Sequence, residues 1–118
     1  MTKEKVFLSI FGNKLEKSTS YQVYLTGGTS LQSCFTMSYN DLVDKLGQPN
    51  GSTDGFKTDC EWEIITPSGV VTIYNYKDGK NYNGAWGIAI KDLTNWHIGG
   101  FGSAGADYLK RFLGVKED

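Results

Sequence analysis

The sequence predicts an α+β fold, an antiparallel sheet of four to six strands with two helices packed on one face. Three observations predict it. Apolar/polar alternation recurs in short runs, most clearly over residues 59–65 and 70–76. Two segments, 38–46 and 103–113, instead place apolar residues at helical spacing between a serine and a glycine. Glycine is frequent, at 15 residues, and proline scarce, at 2, which suits tight turns joining an aromatic-rich sheet rather than a disordered chain.

At 118 residues the chain is expected to form a single domain, residues 1–118, with one core. Its 12 Lys+Arg against 13 Asp+Glu leave a formal charge of -1, which argues against a general nucleic-acid binder and against an acidic DNA mimic. Cys34 and Cys60 lie far apart without metal-ligand spacing and beside apolar neighbours, so both are expected as buried free thiols. The N-terminal Met-Thr-Lys-Glu-Lys lacks a signal-like apolar run, and no span reaches membrane-crossing length. A cytoplasmic protein without membrane contact is the expectation.

In chain order, residues 5–11 alternate with apolar character on both sides, as a strand partly covered on each face does. Gly12-Asn13 breaks it, and residues 13–20, polar apart from Leu15, read as a loop or wide hairpin connection. Tyr21, Val23 and Leu25 alternate with polar neighbours in a second strand over 20–26. Residues 29–36 are open between a short strand around Cys34-Phe35 and an irregular lead-in. Ser38 is placed to cap a helix over 38–46, with Asp41 at its third position and Met37 and Leu42 spaced for a hydrophobic staple. Gly47 and Pro49 stop it, and 50–55 is turn-rich and expected to be exposed.

Residues 56–65 and 70–77 read as a hairpin across Thr66-Pro67-Ser68-Gly69. Cys60, Trp62 and Ile64 share one strand face opposite Asp59, Glu61 and Glu63; Val71 and Ile73 lie opposite Tyr74 and Tyr76. Asp78-Gly79 suits a further hairpin turn, 87–90 a short strand and 96–98 another. Ser103 is expected to cap a last helix whose inner stripe is Leu109, Phe112 and Leu113 and whose stop is Gly114.

Catalytic and metal signatures are sparse. His97 is the only histidine, and no Gly-x-Ser-x-Gly or Cys-Gly context supplies a nucleophile for it, so no catalytic residue, metal site or cofactor is assigned. The carboxylates Asp59, Glu61 and Glu63 are read as a solvated sheet face with Lys77 and Lys80 across from them. Gly99, Gly100 and Gly102 lack a phosphate-loop pattern, although the amides leading to Ser103 could receive an anion. The informative set is aromatic and basic: Tyr74, Tyr76, Lys77, Lys80, Tyr82 and Trp86, extended by Trp96 and His97. Such rings stack on bases or anchor a protein partner, and lysines among them meet phosphates; equally, the rings could cover the outer face of the sheet as a minor core.

The motifs Asp41-Leu42-Val43-x-x-Leu46-Gly47-x-Pro49, Lys57-x-Asp59-x-Glu61-Trp62, Thr72-Ile73-Tyr74-Asn75-Tyr76-Lys77 and Trp96-His97-Ile98-Gly99-Gly100 together resemble a family of small accessory proteins of tailed bacteriophages. The resemblance spans about residues 38–113. It implies a phage protein made in the host bacterial cytoplasm, and by analogy an antagonist of host defence. The expected function is non-catalytic sequestration of a nucleotide-type immune signal, with a homo-oligomer where one is needed to close a pocket. The alternative is direct inhibition of a host defence protein through the same aromatic surface, and an enzyme using His97 with Glu61 and Glu63 is the third class.

Overall fold

The computed structural model describes residues 5–20, 29–51 and 55–115. Its first strand, β1 (Lys5–Phe11), turns at Gly12-Asn13 and pairs antiparallel along its whole length with β2 (Lys14–Ser20). Gly12 has φ +60°, the left-handed conformation that a two-residue hairpin turn requires. The loop expected over 13–20 is therefore a strand. It is an edge strand, and Leu15, opposite Ile10, is its packing residue against the core, so Lys14, Glu16 and Lys17 tolerate water. The strand expected over 20–26 lies, beyond Ser20, outside the described residues.

The segment left open resolves into β3 (Ser30–Thr36). Helix α1 (Tyr39–Leu46) follows, capped as its sequence specifies: Ser38 Oγ accepts the Asp41 N–H at 3.1 Å, and Gly47, at φ +83°, returns its N–H to Val43 O at 2.7 Å. The hairpin β4 (Glu61–Thr66) and β5 (Gly69–Tyr74) turns at Pro67-Ser68, where Thr66 Oγ1 accepts from Ser68 N and donates to Gly69 O. Both strands are shorter than their alternation suggests, because Phe56 to Cys60 and Asn75 to Lys77 leave the ladder.

Residues 78–93 contain neither the expected hairpin turn nor the strand at 87–90. They form the single-turn helix α2 (Lys80–Asn83) and two 3-10 turns, Gly84–Trp86 and Ile90–Asp92, fastened by one parallel bridge between Gly79 and Ile88. Then come β6 (Asn95–Gly100) and helix α3 (Ser103–Leu113). Ser103 is the first helical residue, and not the cap as expected: Gly102 holds that position in extended backbone without a side-chain bond. Gly114 ends the helix at φ +74° with its N–H on Lys110 O and Arg111 O.

The six strands form one open sheet in the order β2-β1-β4-β5-β6-β3, antiparallel except for β1 with β4. Trp62, Ile64, Val71, Ile73, Trp96 and Ile98 project from its inner face and share a core with Leu42 and Leu46 of α1 and Leu109 and Leu113 of α3. The parallel contact is short, Leu8 with Ile64 and Ser9 with Ile65, and Asn50 extends it. Its Nδ2 donates to Val6 O at 2.9 Å and Glu63 O at 3.0 Å, while its Oδ1 accepts the Glu63 N–H at 2.8 Å. A residue expected in an exposed loop thus acts as an amide wedge between two strands. Among the described residues no helix is long and apolar enough to cross a membrane.

Candidate functional site

The outer face of the sheet carries the aromatic cluster. Register places Tyr74 on β5 directly beside His97 on β6. The Tyr74 and His97 rings meet edge-on, with centroids 5.6 Å apart, and Tyr76 stacks on His97 at 5.3 Å with 24° between planes. Tyr76 is beyond the ladder and 40% exposed, so its outer edge stays open to a visitor.

Lys77 turns the chain away from the sheet. Its backbone is left-handed, φ +61°, and its N–H is held by Lys57 O at 2.8 Å. The side chain then reaches over two phenols, with Nζ 5.3 Å from the Tyr76 centroid and 5.5 Å from that of Tyr82 on α2. Phe56 meets Tyr82 edge-to-face at 5.3 Å and closes the group.

A polar knot fixes this loop. Asn75 is fully buried; its Oδ1 accepts the N–H groups of Asp59 at 2.7 Å and Cys60 at 3.1 Å. Its Nδ2 donates to Asp59 Oδ1 at 2.9 Å and Asp78 Oδ1 at 3.0 Å. Asp59 also accepts the Asn81 N–H at the start of α2, so one carboxylate ties strand end to helix. Gly79 lies so close to the Asp59 carboxylate that a Cβ there would overlap Oδ1, and a Cβ on Gly87 would overlap the Gly79 carbonyl. These two glycines serve close approach, not freedom of φ.

Of the residues predicted for the site, Tyr74, Tyr76, Lys77, Tyr82 and His97 come together. Lys80 opens α2 and is exposed, and Trp86 lies further along the same loop, 96% exposed. Trp96 does not belong. It is buried in the core, donates Nε1–H to Met37 O at 2.8 Å and meets Trp62 edge-to-face at 5.4 Å. The alternation that puts His97 outward puts Trp96 inward.

Asp59 likewise leaves the carboxylate row to join the knot, and Lys77 lies over its rings. The Gly99–Gly100 pair lies buried within β6, where a Cβ on Gly99 would stand 2.6 Å from Thr72 Oγ1. Close packing of Thr72 requires a glycine at that position.

Two further residues border the cluster without a local signal in the sequence. Phe56 was assigned to a strand, and its ring contact depends on where α2 folds. Cys34 was expected buried, yet it is exposed, because it projects outward from β3 opposite His97. Burial, followed by the neighbouring charges of Cys34, Glu61 and Tyr76, raises the Tyr74 pKa. Cys60 is buried as expected, and burial, with Asp59 and Asp78 adding to it, pushes its thiol up to about 12.

The raised Cys60 value links to stability. Unfolding releases a thiol of pKa about 8.5, so the unfolded chain loses its proton first. The associated stability is complete below that pH and is lost as pH rises toward about 12. Urea midpoints for Cys60→Ala are expected to lie below the parent at pH 7, by the equivalent of about 1 kcal/mol, and to decline less steeply between pH 8.5 and 10.5. Parallel declines would place the alkaline sensitivity elsewhere.

No family model, curated protein or solved structure matches the chain.

Proposed function

We propose that this chain is a non-catalytic phage protein that acts in the bacterial cytoplasm by binding and sequestering a nucleotide-type immune signal. Lys77 is the observation that carries this reading. Among the described residues it is the only non-glycine with positive φ, a conformation that costs an L-residue about 1 kcal/mol. Backbone strain of this kind persists where the geometry it creates is used. Here that geometry sets an ammonium over the rings of Tyr76 and Tyr82, with His97 stacked on Tyr76. A fixed cation beside stacking rings suits a phosphate joined to a base. The resemblance to phage accessory proteins supplies the proposed setting.

Trp86 favours a second reading, direct inhibition of a host defence protein. A tryptophan 96% exposed, on a loop that also exposes Tyr82, Ile88 and Ile90, is the kind of side chain that anchors protein interfaces.

Native mass spectrometry of the protein purified from bacteria with an active nucleotide-signalling defence separates the two. Sequestration predicts a retained mass in the nucleotide range, with the oligomer count read from the same spectrum. Inhibition predicts an apo protein that co-purifies with one host polypeptide. Lys77→Gly sharpens the choice. It is expected to raise stability by about 0.5–1 kcal/mol in urea titration while the bound mass disappears. A variant that gains stability and keeps its ligand would remove Lys77 from the site and sink sequestration by this cluster. Trp86→Ala should abolish co-purification of a protein partner and leave a nucleotide in place.

A further inference from the structure

Cys34 and His97 are paired positions on adjacent antiparallel strands, β3 and β6, and both face outward. Side chains at such positions have Cβ atoms about 4.5–5.5 Å apart, within reach of a thiol–imidazole contact. Both line one open cleft of about 490 Å³, together with Thr36, Asn95 and Lys110 of α3. Cys34 is exposed there, and Tyr74 stands on the other flank of His97. Local sequence sets no nucleophile beside His97; strand register sets Cys34 there.

We propose that Cys34, with His97 as its proton acceptor, is a thiol-exchange site that takes small anionic disulfides. The chemistry needs only a thiolate, a base and access along the S–S bond, without the oxyanion donors that acyl transfer demands. His97 takes the thiol proton; the Cys34 sulfur attacks one sulfur of the disulfide RS–SR; a Cys34–SR bond forms as the S–S bond breaks; the departing RS⁻ takes the proton back from the imidazolium. The oxidising equivalents come from the disulfide itself. Lys110 provides the preference for an anionic partner such as glutathione disulfide. Cys60, buried and with its thiol pushed up to about 12, stays silent and serves as internal control. The inference is independent of whether the ring cluster holds a nucleotide, since its readout is thiol chemistry.

The test is stopped-time labelling of the folded protein with glutathione disulfide and with the neutral hydroxyethyl disulfide, read by intact mass and peptide mapping. One adduct is expected, at Cys34. His97→Gln and His97→Phe, the latter keeping a ring against Tyr74 and Tyr76, should each slow labelling at pH 7 by roughly tenfold or more. Both should also flatten the pH dependence of the labelling rate, a change that altered packing alone would not produce. Lys110→Gln should slow the anionic disulfide and spare the neutral one. Equal rates in parent and both His97 variants, or adducts appearing first on Cys60, would overturn the proposal.

Discussion

Asn75→Ala is expected to lower the stability of the domain by about 3 kcal/mol and to release the loop that carries Tyr82 and Trp86. The fully buried amide makes four bonds, and alanine returns none of them. The Asp59 and Cys60 N–H groups lose their acceptor away from water, at about 1–3 kcal/mol for each such group. Asp59 and Asp78, both held to the same Nδ2, are left as two carboxylates facing each other without the donor between them.

A loss of this size is a large part of the roughly 5–15 kcal/mol that holds a domain together. It should move the urea midpoint down by about 1–2 M, and hydrogen exchange should quicken first over residues 78–92. Asn75→Asp provides the control. It keeps an acceptor for the two N–H groups but sets a third carboxylate beside Asp59 and Asp78. Repulsion among three close carboxylates should make its deficit larger at neutral pH than in acid. A midpoint for Asn75→Ala within about 0.3 M of the parent would mean that the loop is held by something other than this knot.

What the sequence disclosed depended on how local the cause was. Helix α1 was legible because Ser38, Asp41 and Gly47 act within a turn of one another, and each makes the contact its type implies. The β4–β5 hairpin was legible because period-two alternation brackets a Pro-Ser-Gly turn. Strand β2 was not, since an edge strand needs little apolar surface and Lys14, Glu16 and Lys17 resemble a loop. The side chains of Asn50 and Asn75 belong to the same class of hidden cause. Both close gaps between segments 13 to 44 residues apart, and an amide's local sequence is the same whether it bridges segments or faces water. Within the candidate site, Tyr74, Tyr76 and His97 follow from alternation alone. The placement of Tyr82, Phe56 and Lys77 depends on the left-handed turn at Lys77 and on the Asp59–Gly79 contact, neither of which composition announces. Cys34 became visible only when register set β3 beside β6.

Trp86 and Trp96 stand ten residues apart in one aromatic segment, and their replacement is expected to have opposite consequences. Trp96→Ala should destabilise the domain by about 4 kcal/mol. It empties a fully buried volume, strips Trp62 of its edge-on partner and leaves Met37 O without the indole N–H it accepts. Trp86→Ala should change stability by no more than about 0.5 kcal/mol, because an indole 96% exposed has almost no packing to lose. Fluorescence separates the pair without a ligand. Trp62 and Trp96 are sealed from water, so acrylamide should quench only the Trp86 component, and Trp86→Phe should leave a blue-shifted emission that acrylamide barely touches. If Trp86→Phe removed the blue-shifted component instead, the loop would close over Trp86 in solution, and a side chain hidden in that way could not anchor a partner. With the emission as expected, any loss of binding in Trp86→Ala belongs to the surface itself. Any loss of binding in Trp96→Ala belongs to the fold beneath it.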